Sequence, residues 1–170
     1  MADKILVAYA TTQGSTAEVA QAIAESMRSL NVVADVQLAK NVKSLDAYHA
    51  VILGAPLYMF RWHADARRFL ARHRHVLQSI PLAIFALGPF HNKEEEIKGA
   101  HEQLDKELSK YTWLSPLDLM VFVGKHDPHA LRFPYSLIGP LKQMPASDER
   151  DWIAIRVWAE KMLEKFTLEK

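Results

Sequence analysis

Lys4 to Met27 reads KILVAYATTQGSTAEVAQAIAESM, and the change of period in its middle decides the fold. Ile5-Leu6-Val7-Ala8-Tyr9-Ala10 is a near-continuous apolar run, the pattern of a parallel strand covered on both faces. Beyond the turn Thr11-Thr12-Gln13-Gly14-Ser15-Thr16, the residues Val19, Ala20, Ile23, Ala24 and Met27 recur at helical spacing. Ser15-x-x-Glu18 has the form of a capping box, which sets the expected helix start at the turn. A helix start carries unpaired N–H groups and the positive end of the macrodipole, so it suits an anion. Here Thr11, Thr12, Ser15 and Thr16 surround it with hydroxyls, beside one glycine and without a lysine. The turn is therefore neither a GxxxxGK[ST] nucleotide loop nor a GxGxxG dinucleotide turn.

Working outward, the same strand-then-helix rhythm repeats. Val32–Leu38 alternates as an edge strand would, and Ala50–Ala55 is a wholly apolar third strand, stopped in expectation by Pro56. A basic helix is expected from about Ala64 to Leu77, with Trp62, Ala66, Phe69, Leu70, His73 and Leu77 as its buried stripe. Pro81–Leu87 is a fourth strand ended by Gly88-Pro89, Lys93–Tyr111 an acidic helix, and Leu117–Val123 a fifth strand. Gly124–Pro145 shows no period. A last helix is expected from near Ser147, with Asp148, Glu149 and Asp151 at its positive end and Trp152, Ile155, Ala159, Met162 and Phe166 inward. Five apolar strands alternating with helices imply a single α/β domain over 1–170, a doubly wound five-stranded parallel sheet with strand order 2-1-3-4-5. Ligands bind such sheets at the strand carboxyl ends beside the switch point. The three unusual loops, Thr11–Thr16, Pro56–His63 and Gly88–Asn92, all fall there.

Composition narrows the function. The 170 residues are 49% apolar and 24% charged, an ordinary globular mixture. The absence of cysteine excludes disulfides, thiolate metal sites, iron–sulfur ligation and a cysteine nucleophile, and it fits a reducing cytoplasm. No run reaches the length of a membrane span, and the opening Met-Ala-Asp-Lys lacks a signal-peptide pattern. A net charge of +1 gives no reason to expect a nucleic-acid partner.

The phosphate turn resembles that of flavodoxins, which hold the phosphate of flavin mononucleotide (FMN) with hydroxyls and backbone N–H groups. Thr11, Gly14 and Thr16 match that family's T-x-x-G-x-T pattern, with Gln13 where Thr or Asp is more usual. Over the whole chain the similarity is above all to the flavodoxin-domain family of quinone-dependent protoporphyrinogen oxidases. Gly54-Ala55 followed by His63, then Phe69 and His73, matches that family's G-A-x-x-x-x-x-x-H run before an F-x-x-x-H helix. Two features depart from it: the loop after strand three has no glycine near Phe60, and the stretch after strand five holds only Lys125, Arg132 and Lys142 as Lys or Arg. The resemblance implies FMN as cofactor. Thr11, Thr12, Gln13, Gly14, Ser15 and Thr16 would hold its phosphate, while Tyr58, Phe60 and Phe90 would wall its ring. Pro56, Leu57, Met59, Leu87 and Gly88 would supply further contacts. It also implies electron transfer from an organic donor, with a porphyrinogen as one candidate, to a quinone.

Other constellations lead elsewhere or nowhere. Pro56-Leu57-Tyr58-Met59-Phe60-Arg61-Trp62-His63 gathers aromatic side chains at the sheet mouth, as walls for a flat ligand or as a cap on the sheet end. Arg61, Arg67, Arg68, Arg72 and Arg74 form a basic run opposite the acidic Lys93–Glu107 segment, an anion-docking face or a solvated one. His73-x-His75 points its rings apart on a helix, and no G-x-S-x-G elbow exists. No protein acid or base is identifiable. The resemblance to a quinone-dependent family makes residues 133–141, with Phe133, Tyr135 and Ile138, the candidate contact with quinone or the membrane surface. The alternatives are an electron carrier that docks a redox protein, which the non-acidic net charge disfavours, or a flavin-free scaffold.

Overall fold

The computed structural model describes residues 4–58 and 61–169. Strand β1 (Lys4–Tyr9) lies between β2 (Val33–Leu38) and β3 (Ala50–Tyr58), and β5 (Leu82–Leu87) and β6 (Asp118–Phe122) extend the parallel sheet beyond β3. The order β2-β1-β3-β5-β6 is the doubly wound topology expected. A short β4 (Arg61–Trp62) turns back antiparallel onto the end of β3 and makes the sheet six-stranded. Met59 and Phe60 lie outside the described residues.

Alternation along the strands builds a core on each face. Leu6, Ala8, Leu53 and Ile84 face α2 (Ala64–Leu77) and α3 (Glu94–Leu108), where Phe69, Leu70 and Leu104 are buried. Ile5, Val7, Ile52 and Phe85 face α1 (Ser15–Ser29) and α5 (Trp152–Leu168), packing with Ile23, Met27, Trp158 and Phe166. The expected stripe of α2 is buried from Trp62 to Leu77, and Trp62 Nε1 donates to the Ala55 carbonyl at 3.1 Å.

Three expectations need correction. Pro56 does not stop β3, which continues to Tyr58 with Pro56 opposite Leu87. The β1 ladder has already ended at Tyr9–Gly54, so the N–H that proline lacks removes no ladder bond to β1, while the Pro56 carbonyl accepts from His63 N at 3.2 Å. The last helix begins at Trp152, capped by Asp151, whose side chain accepts from Ala154 N at 2.9 Å. Ser147 and Asp148 instead form β8, antiparallel to β7 (Lys125–His126), while Gly139–Gln143 forms the short helix α4. The aperiodic stretch thus starts in one strand of a small ribbon and leads into the other. Among the described residues no helix is long and apolar enough to cross a membrane.

Gly54 is required by packing. It lies opposite Phe85, and a Cβ there would stand 1.9 Å from Phe85 Cζ. That ring cannot readily retreat, because Phe122 and Trp158 hold it at centroid distances of 6.0 and 6.1 Å. Gly54→Ala should therefore destabilise the fold by about 1–3 kcal/mol through overpacking. Chemical denaturation checks this, and an unchanged midpoint would contradict the packing assignment.

Candidate functional site: a hydroxyl-lined helix start beside an aromatic cleft

Strand β1 ends below the turn, and the chain must reverse quickly to start α1. Gly14 makes the reversal with φ 93°, a left-handed conformation that favours glycine. Its N–H donates to Thr11 Oγ1 at 2.8 Å, which closes the turn. Gly14 is also the N-cap of α1, and no side chain caps that end. The expected capping box is thus not formed. Ser15 lies within the first turn, and the Glu18 carboxylate is taken by Arg150 at 2.5 Å.

The decisive atom is Thr16 Oγ1. Thr16 is fully buried, and this oxygen has no hydrogen-bond partner. A buried hydroxyl left unpaired costs about 1–3 kcal/mol. Beside it are the first N–H groups of α1, which have no intrahelical acceptors. An acceptor-rich anion satisfies hydroxyl and N–H groups together, so the residues present fit the phosphate of FMN. Thr11, Thr12, Gln13 and Ser15 are half-buried around the same turn.

The ring-wall residues are only partly brought together. Pro56 and Leu57 are buried in β3, and the Tyr58 ring lies 4.8 Å from that of Tyr135, tilted by 36°. Burial, with Tyr135 alongside, pushes the Tyr58 hydroxyl up to about 12, so it stays protonated at neutral pH. The Phe90 ring packs 4.7 Å from His126, whose Nε2 is 2.9 Å from the Leu141 carbonyl oxygen. Leu87 is buried, and a Cβ on Gly88 would stand 2.9 Å from Ala100 Cβ. The aromatic partner of Tyr58 thus comes from the tail, in the stretch expected to face a membrane or quinone. Its sequence signal was the aromatic run itself; nothing in it marked Tyr135 as pairing inward.

Next to Tyr58 opens a cleft of about 430 Å³, reached by Thr12, Arg61, His63, Arg67 and Tyr135. His63 ends the β4 return and caps α2, its Nδ1 accepting from Asp65 N at 3.1 Å. Burial, helped by nearby Arg68 and Arg67, lowers the His63 pKa against the opposing pull of Asp65. Its neutral ring therefore carries the proton on Nε2, making His63 a hydrogen-bond donor rather than a base. Arg67 Nε donates to the Trp62 carbonyl at 3.2 Å, which steadies the base of its side chain.

Arg150 is the residue that sequence reasoning missed. It sits in an acidic run as one cation among four charged residues, with no pattern to distinguish it. Its side chain is 3% exposed and joins Glu18 to Asp148. The neighbouring Glu149 carboxylate accepts from Asn92 N at 2.6 Å, and Ser147 Oγ lies 3.4 Å from the Phe90 carbonyl oxygen.

Replacing Thr16 by Val keeps its shape and removes the orphan hydroxyl. Thr16→Val should cost about 1.5–3 kcal/mol of FMN affinity, the worth of a hydrogen bond to a charged group, with little change for riboflavin. Fluorescence titration with both flavins tests this; equal losses for the two would contradict a phosphate role.

Comparison with known proteins shows the family. A family model described as Flavodoxin domain matches residues 6–136. Oxidised flavodoxin 2 from Bacillus cereus is similar in fold, with a TM-score of 0.61 at 20% identity over 96% of this chain and 99% of that one. Rubredoxin oxygen:oxidoreductase from Desulfovibrio gigas gives 0.58 at 16% identity, over 98% of this chain but 36% of its own. Among curated proteins, protoporphyrinogen IX dehydrogenase [quinone] of Escherichia coli (strain K12) is 26% identical over 95 residues, 55% of this chain and 52% of that protein. The chain spans about half the length of the curated relatives it matches. The family match runs from β1 through the Thr11–Thr16 turn to the tail as far as Ser136, so the chain belongs to the flavodoxin domain family and its cofactor is FMN.

Proposed function

We propose that this flavodoxin-domain protein is an FMN-dependent oxidoreductase that oxidises a reduced organic donor, with a porphyrinogen as the leading candidate, and reduces a quinone. The observation that carries the reading is the cleft beside Tyr58. Its walls are aromatic, Arg61 and Arg67 stand at its rim, and it adjoins Thr12 of the phosphate turn. Such a cleft suits a flat apolar molecule bearing carboxylates. The similarity to a quinone-linked protoporphyrinogen dehydrogenase points the same way.

Bound FMN supplies the redox chemistry. The chain's part is to hold it, shape the cleft and manage polar contacts. Each cycle removes two electrons and two protons from the donor and delivers two of each to the quinone, giving the hydroquinone. His63, neutral with its proton on Nε2, is the cleft group suited to donate a hydrogen bond to a carbonyl oxygen. Tyr58, held protonated by burial, offers its ring as an apolar wall. In this reading Phe133 and Leu137, 77% and 73% exposed, make peripheral membrane contact where the quinone dissolves. Tyr135, paired with Tyr58, lines the cleft, and Phe133 reaches its edge as well.

The second reading is a carrier that passes electrons to a redox protein. One experiment separates the two. The FMN-loaded protein is mixed anaerobically with protoporphyrinogen and a quinone in lipid vesicles, and porphyrin fluorescence is followed. The proposal expects quinone-dependent porphyrin formation, slowed in the Leu137→Ser variant only when vesicles are present. No porphyrin above the protein-free rate would contradict the enzyme reading and favour the carrier.

A further inference from the structure

Arg150 is buried where a buried cation needs a reason. Its Nη1 is 2.5 Å from Glu18 Oε2, while Nε and Nη2 grip both oxygens of Asp148 at 2.8 and 2.7 Å. The same Nη1 lies 3.4 Å from the Ser15 carbonyl oxygen. Trp152 covers the guanidinium, 4.6 Å from ring centroid to Cζ. The two acids do not require this partner for hydration, since their side chains are 52% and 41% exposed. Desolvating an arginine is costly, and an apolar side chain could fill the same volume without that cost.

What an apolar side chain could not supply is charge. Glu18 lies in the first turn of α1, the turn that carries the orphan Thr16 hydroxyl. An acid there favours the helix by itself but repels a dianionic phosphate at the same helix end. Across a small cavity, Ser15 and Glu18 face Lys125 and Asp127, and β7–β8 pairing sets Lys125 opposite Asp148. Asp127 Oδ1 is engaged by His129 N at 2.9 Å. The neighbourhood thus holds three acids, Glu18, Asp127 and Asp148, against two cations, Lys125 and Arg150. Without Arg150 it would hold three against one.

We propose that Arg150 is the positioning residue of the phosphate seat: it neutralises Glu18 and braces the Ser15 carbonyl, so that the first turn of α1 can receive a dianion although its loop contains no cation. The proposal rests on the FMN assignment made above. Arg150 acts through Glu18 and Ser15 and need not touch the phosphate.

The test measures FMN and riboflavin dissociation constants for the full chain and its Arg150→Met, Glu18→Gln and double variants, at low and high salt. The unaltered chain must prefer FMN; no such preference would sink the phosphate seat itself, and this proposal with it. Given that preference, Arg150→Met should weaken FMN about tenfold while riboflavin changes little, and added salt should narrow the gap. Adding Glu18→Gln to Arg150→Met should restore most of the loss, which a purely structural role would not allow. Glu18→Gln alone preserves shape and should tighten FMN severalfold, an arm that stands even if Arg150→Met folds poorly. Parallel losses for both flavins, or no recovery in the double variant, would overturn the role of Arg150 and leave the FMN assignment intact.

Discussion

The helix that follows β1 starts without a side-chain cap, and the rest of the candidate site is built around that open end. Gly14 turns the chain through a left-handed conformation, so α1 begins immediately at Ser15. The turn spends Thr11 Oγ1 on Gly14 N and buries Thr16 with its hydroxyl unpaired. Filling the cap with a side chain would satisfy the helix and remove the seat. Those donors are left open to a ligand, and the fold tolerates that cost because β1 is anchored in both cores and α1 in one of them.

The segment that follows β6 completes this arrangement from the other end of the chain. Its ribbon, β7 with β8, delivers Arg150 to the first turn of α1, Glu149 to Asn92 and Ser147 to Phe90. Tyr135 comes from the intervening stretch and lies on Tyr58. All three loops at the sheet mouth are therefore held by one segment. A change in the tail can consequently shift the Thr11–Thr16 turn and the aromatic cleft together, and this makes the candidate site a property of the whole domain.

The fold was largely legible because strand and helix periods are local signals that burial enforces on every residue. The β1 run, the α2 stripe and the switch-point loops could be read directly from spacing. Pro56 misled because its effect depends on where the neighbouring ladder ends, which spacing does not report. The capping box misled because Glu18 had a partner 132 residues away, and a local motif cannot see it. Tyr135 and Arg150 were illegible for the same reason: each is placed by contacts with residues distant in sequence. Hydroxyl content marked the turn as a candidate seat, and burial distinguishes Thr16 from its neighbours.

The central claim is that donors at the start of α1 hold a phosphate dianion, and the protonation state of that phosphate tests it most directly. Donors favour the charged form and depress its pKa, whereas free phosphate monoesters take up a proton near about pH 6. The measurement is the phosphorus-31 resonance of FMN bound to the protein as pH is lowered from about 8 to about 5.5. The account predicts a resonance that stays at its dianion position throughout. A resonance that titrates with the midpoint of free FMN would contradict it, placing the phosphate in solvent and leaving the buried Thr16 hydroxyl unexplained.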